Sequence, residues 1–181
     1  MSNTPINLYG SSYPVAGAAL ETLTTLLNKG QETASAGSLP SARLYENMAP
    51  LTTQVQYVCN IVRNLVGRTT GQDLASAWED DATLSTFEDM HARIAAARKL
   101  VEEADENVVN SKANETFTMK TNTYGTVHVC VHTAVSTHIL PYLFFYLGNT
   151  YGILRKEGVP LQMMDYMGAF NNIALQNPGV L

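Results

Sequence analysis

The chain has 181 residues, 45% hydrophobic and 15% charged, with 11 basic against 16 acidic side chains and a formal net charge of −5. That balance is globular rather than disordered, and its length suits a single domain over residues 1–181 that needs neither disulfide nor metal to fold. The acidic excess and the absence of a Lys/Arg cluster exclude a nucleic-acid surface and speak against an anionic membrane.

From the N-terminus, Met1 to Gly10 has neither the basic nor the apolar region of a secretion signal. The longest strongly apolar run, Ile139 to Leu147, is too short to span a bilayer. The expectation is a soluble, cytoplasmic protein with no membrane partner. Cys59 and Cys130 are far apart and lack metal-ligand spacing, so they read as reduced, buried thiols.

A first helix is predicted from about Pro14, with Leu20, Leu23 and Leu27 at helical spacing, to a stop at Gly30. Gln31 to Pro40 reads as a loop. A second helix runs from about Pro50 to Val66, where Leu51, Val55, Val58, Val62 and Leu65 form an apolar stripe and Gly67 is the stop. Arg68 to Asp81 reads as a polar loop carrying Trp78 beside Glu79, Asp80 and Asp81.

The third helix opens on a capping box, Ser85 to Glu88. Its buried face is Phe87, Met90, Ile94, Ala97 and Val101, and Asp89 with Arg93 supports the exposed side. Thr116 to Lys120 and Thr126 to Cys130 then alternate with period two around Asn122 and Gly125, which predicts a small β-hairpin. The last long helix, His132 to Lys156, is apolar nearly all round and is expected to be the most buried element, kinked at Pro141. A short helix from Gln162 to Asn171 follows Gly158-Val159-Pro160. Four long helices with a hairpin before the last predict an all-α bundle with a long crossover connection.

Several segments carry a resemblance. Pro141 to Tyr146, then Tyr151-Gly152-Ile153-Leu154-Arg155, then Gly158-Val159-Pro160-Leu161 and Asp165-Tyr166-Met167-Gly168 are similar to a motif series of the DinB-like superfamily. The series belongs to its domain-of-unknown-function branch, which reads P-N-F-x-F-H, A-Y-x-I-L-R and G-V-P-L-G-K-x-D-F-x-G. Upstream, Arg43-Leu44, Met48, Pro50-Leu51 and Gln54-Val55 resemble the branch's R-L-x-x-D-M-x-P-L-x-x-Q-V.

The resemblance implies a DinB-like four-helix bundle and is compatible with a homodimer. Metal-binding members of the superfamily use a histidine of the second helix and an H-x-x-x-H pair on the last. Here Tyr142 and Tyr146 stand at the latter positions, Asn47 replaces an aspartate, and Gln162 and Met163 replace Gly and Lys. The resemblance with these changes points away from metal-dependent thiol transfer and toward a chain without a metal or other cofactor. Fungal members of the branch occur among specialised-metabolism proteins, which implies polyketide- or terpenoid-like substrates.

At 100° per residue, His138, Tyr142, Phe145 and Asn149 fall on one stripe of the last helix, with Tyr146 at its edge; Gln54 and Asn47 lie beside the stripe of Leu51 and Val58. These groups could line a pocket between helices. In that reading His138 does general acid/base work, and Tyr142 and Tyr146 donate to a developing oxyanion. Gln54, Asn47, Phe145 and Asn149 bind and orient an apolar oxygenated small molecule, and Trp78 serves as a lid or a cap on the bundle.

The reaction class expected is isomerisation, cyclisation, dehydration or another proton-transfer step. The residues leave two other readings open: a non-catalytic carrier using the same pocket, and a metal-dependent member with relocated ligands His128, His132 and His138. Packing of His138 and the tyrosines in a ligand-free core is the structural alternative to all three.

Overall fold

The computed structural model describes residues 7–33, 35–78, 84–121 and 125–176. In chain order these form α1 (Leu8–Gln31), α2 (Leu51–Thr70), α3 (Phe87–Glu102), α4 (Glu106–Ser111), β1 (Thr116–Thr121), β2 (Gly125–Cys130), α5 (Val131–Ala134), one turn of π-helix (Val135–Ile139), α6 (Leu140–Lys156) and α7 (Met163–Gln176). Four of them make the bundle. α2 packs against α3 and α6, and α1 packs against the same two, so α1 and α2 sit diagonally across the core. α7 lies on the outside of α1. Two long connections result: residues 32–50 from α1 to α2, and the stretch from α3 to α5 that holds α4 and the antiparallel pair β1–β2. The hairpin is where the alternation predicted it, with Thr116 opposite Cys130 and Thr121 opposite Gly125; Asn122 lies outside the described residues.

The core holds the expected stripes, Leu20, Leu23 and Leu27 of α1, Leu51, Val55, Val58 and Leu65 of α2, and Met90, Ile94 and Ala97 of α3, with Phe87 and Val101 only partly buried; Leu143, Leu147 and Leu154 of α6 complete it. Cys59 is fully buried, and that burial pushes its thiol up to about 12; Cys130 is only half-buried.

Four boundaries differ from the sequence reading, each for a local reason. α1 starts six residues before Pro14 because Asn7 caps it, its Oδ1 accepting the Gly10 N–H at 2.7 Å. α2 runs past Gly67 to a left-handed cap at Gly71, φ 77°. Gly67 is instead a close-approach glycine, since a Cβ there would sit 3.2 Å from the Gln72 carbonyl oxygen. The extra turn puts Arg68 on a helix and buries Thr69, whose hydroxyl lies 2.7 Å from Tyr13 Oη. α7 extends beyond Asn171 to Gln176; Asp165 accepts the Gln162 N–H at 2.7 Å and pairs with Lys29 at 2.8 Å.

The fourth difference is the start of α3. Its capping box is one residue later than predicted: Thr86 caps Asp89 N–H, and the Asp89 carboxylate accepts from Ser85 N, Ser85 Oγ and Thr86 N, each at 2.9 Å. Asp89 therefore does not support Arg93 on the exposed side; Arg93 is 8% exposed and turns inward against Trp78.

The Ser85 and Thr86 donors hold the Asp89 carboxyl down to about 2 from 3.8. A depressed folded-state value contributes stability that is complete above the unfolded value and is lost as pH falls through the folded one. The stability difference between wild type and Asp89→Asn is thus expected to be largest above pH 3.8 and to shrink toward about pH 2. Paired thermal melts across that window check it, and a constant difference would refute it.

Candidate functional site

The last long helix decides the site. Pro141 has no N–H to donate to the carbonyl one turn earlier, and the ladder changes step just ahead of it. Just before Pro141, where a kink is predicted, there is a π turn, closed by Leu140 N–H donating to Val135 O. Such wide turns recur at functional positions because they re-aim side chains. This one carries His138.

α6 is not the most buried element. Leu143, Leu147, Thr150, Ile153 and Leu154 face the core, but Tyr142 is 53% and Phe145 57% exposed. The reason is the neighbour count of a bundle corner: with helices on two sides only, an all-apolar helix leaves part of its surface outside. Of the predicted groups, His138, Tyr142, Phe145 and Tyr146 accordingly run along the outer seam of α2 and α6, while Gln54 is buried. The His138 and Tyr142 ring centroids are 6.5 Å apart, and Tyr142 and Tyr146 are stacked at 6.4 Å. Tyr146 meets Tyr57 of α2 at 4.7 Å, and Phe145 stands edge-on to Tyr146 at 5.2 Å. Burial, with the Tyr57 and Tyr142 phenols beside it, raises the Tyr146 hydroxyl, which stays a neutral hydrogen-bonding group. Farther along, Asn149 Nδ2 donates to Gln54 Oε1 at 3.4 Å, and Gln54, 2% exposed, donates to Ala49 O at 3.0 Å.

The sequence-predicted set is thereby divided. His138 and Tyr142 share a cleft of about 180 Å³ where α2, the hairpin and the π turn meet. Gln54 is engaged elsewhere, accepting from Asn149 and donating to Ala49 O, and Tyr146 is held in the tyrosine stack. Asn47 is exposed in the turn before α2, too early in the chain to share the face of Gln54. Trp78 packs on the flank of α2 and α3, with the Arg63 and Arg93 guanidiniums 5.0 and 5.1 Å from its ring and Nε1 donating to Asn60 at 2.7 Å. It covers this flank, and it does not line the His138 cleft.

The remaining walls of the cleft are Ile61, Asn64, Arg68, Phe117, Met119, Ala134 and Ile139, none of which the sequence reading selected. A signal for three of them exists: Ile61, Asn64 and Arg68 follow one face of α2 at spacings of three and four. Reading Gly67 as a stop removed Arg68 from that helix, and only the fold brings the hairpin's Phe117 over it, 4.5 Å from the guanidinium. His138 Nδ1 lies 2.9 Å from Thr137 Oγ1, and among the described residues Nε2 has no hydrogen-bond partner.

The other histidines do not converge on this place. His128 is exposed on β2 beside Thr118, at 3.4 Å, and His132 Nδ1 lies 3.0 Å from Ala113 O, in a separate groove between α1, α4 and the π turn. Among the described residues no three His, Cys, Asp or Glu side chains are grouped so as to hold an ion. No helix of the described residues is long and apolar enough to cross a membrane.

Bundle, crossover and hairpin define a DinB-like protein. The chain is similar to a DinB family member protein from Shewanella denitrificans, known from a crystal structure at 1.83 Å resolution. The two are 26% identical with a TM-score of 0.78, over 89% of this chain and 92% of that one. Residues 8–167 match the family described as Domain of unknown function (DUF1993), and the chain belongs to that family. No curated protein matches it.

Proposed function

We propose that this chain binds a small, apolar, oxygen-bearing organic molecule in the His138 cleft and acts on it by cofactor-free proton transfer. The observation that carries the reading is the composition of that one cleft: a mostly aliphatic and aromatic wall with His138, Tyr142, Asn64 and Arg68 at its polar positions. An imidazole with Nε2 available, set beside a phenol, supports general acid/base work with a hydrogen-bond donor at hand. The volume argues for a small reacting group: an apolar cavity of about 150 Å³ takes up benzene, so this cleft suits a single ring or a branched head, with any longer tail lying outside. A polyketide- or terpenoid-sized molecule would enter by one end only. Isomerisation, dehydration and cyclisation remain the reaction classes of the proposal.

The half-exposed Tyr142 favours a second reading, a binding protein without turnover. The two separate by experiment. Metabolite profiling of a strain lacking this chain, followed by incubation of the accumulated compound with pure protein, is expected to show its consumption. His138→Phe should then slow conversion by about 10²–10⁴, the usual share of a general acid or base. Saturable binding with no conversion by either protein would establish the carrier reading, and wild-type conversion by His138→Phe would remove His138 from the chemistry.

A further inference from the structure

We propose that the occupant of the His138 cleft is an apolar monocarboxylate, recognised by Arg68; this rests on the cleft reading above and adds the ligand's charge to it. Among the described residues Arg68 is the only permanently charged side chain lining the cleft, and no carboxylate shares the wall with it. Its guanidinium carbon lies over the Phe117 ring, 4.5 Å from the centroid. A guanidinium packed on an aromatic ring rather than on an acid keeps its N–H donors for a carboxylate, which it can hold as a bidentate pair.

Among the described residues Arg68 forms no ion pair, although two acids line the adjoining grooves. Both are engaged elsewhere: Asp73 Oδ1 accepts the Ala75 N–H at 3.0 Å, and Glu115 pairs with Lys112 at 3.1 Å. A cation in the wall of an apolar cleft, with the local acids engaged by other donors, selects an anion whose other end is hydrocarbon. A phosphate fits less well, because the wall beside Arg68 is Ile61 and Phe117 rather than further donors.

The test is an amide-resolved NMR titration of the full-length protein with acid–amide pairs: phenylacetate against phenylacetamide, and 4-methylpentanoate against its amide. The acids are expected to shift the amides of Asn64, Phe117 and His138 saturably, and each amide analogue to bind at least tenfold more weakly. Arg68→Gln should weaken the acids about tenfold, the loss of one charge-assisted hydrogen-bonding partner, and leave the amides unchanged. Arg68→Lys, which keeps the charge without the fork, should fall between. Equal binding of acids and amides, or acids indifferent to Arg68→Gln, would overturn the carboxylate assignment while leaving the cleft reading intact. No saturable shift at the cleft with any of the four probes would overturn both.

Discussion

Leu147→Ala is expected to destabilise the protein by about 3–5 kcal/mol, whereas Phe145→Ala, two positions away on the same helix, should cost less than about 1 kcal/mol. Leu147 is fully buried between α6 and the rest of the core, and its removal leaves a cavity that packed neighbours fill only in part. Phe145 is 57% exposed and is held by little more than the edge of Tyr146. Urea unfolding of the two variants, compared at unchanged m-value, measures both. The contrast bears on function as well as stability: it states which side of α6 is structural and which side is available to a ligand. Equal and large losses would mean that the aromatic stripe is part of the core.

Trp78→Ala should cost about 2–4 kcal/mol. The indole has two guanidiniums over its ring, each such contact being worth about 0.5–2 kcal/mol depending on desolvation, and its N–H bond to Asn60 adds about 1 kcal/mol. Arg93 raises the stakes, because it is buried and the ring is what its positive face meets. Trp78→Phe retains an aromatic face and loses only the hydrogen bond, so its expected cost is about 1 kcal/mol. Because Trp78 is the sole tryptophan, each variant is followed by circular dichroism in urea rather than by fluorescence. An alanine variant within about 0.5 kcal/mol of wild type would reduce Trp78 to a surface residue. Neither variant is expected to alter the acid–amide preference of the cleft, since Trp78 does not line it.

Much of the architecture was legible in the chain because helix and strand periods report on single elements. The stripe from Leu51 to Leu65 and the alternation around Val127 and Val129 need only local spacing to be read, and the series from Pro141 to Arg155 is legible through its resemblance to the family's motifs. Boundaries were less legible. Gly67 and Ser85 carry the right residue types for a stop and a cap, yet Gly71 took the first role and the adjacent Thr86–Asp89 pair the second, Gly67 serving as a close-approach glycine. The same local reading placed His138 and Tyr142 on one stripe, and their rings are indeed neighbours.

What the sequence by itself determined, then, is the bundle, its hairpin and the company of His138 and Tyr142, because these follow from spacing along one or two elements. The tertiary structure alone decided which way that stripe faces. An apolar helix at the corner of a bundle has too few neighbours to bury its whole circumference, so Tyr142 and Phe145 came to the surface while Leu143 and Leu147 took the core. It also decided what stands opposite His138. Arg68 and Phe117 are distant in the chain, and only the return of the hairpin across the end of α2 sets a cation and an aromatic ring beside the imidazole.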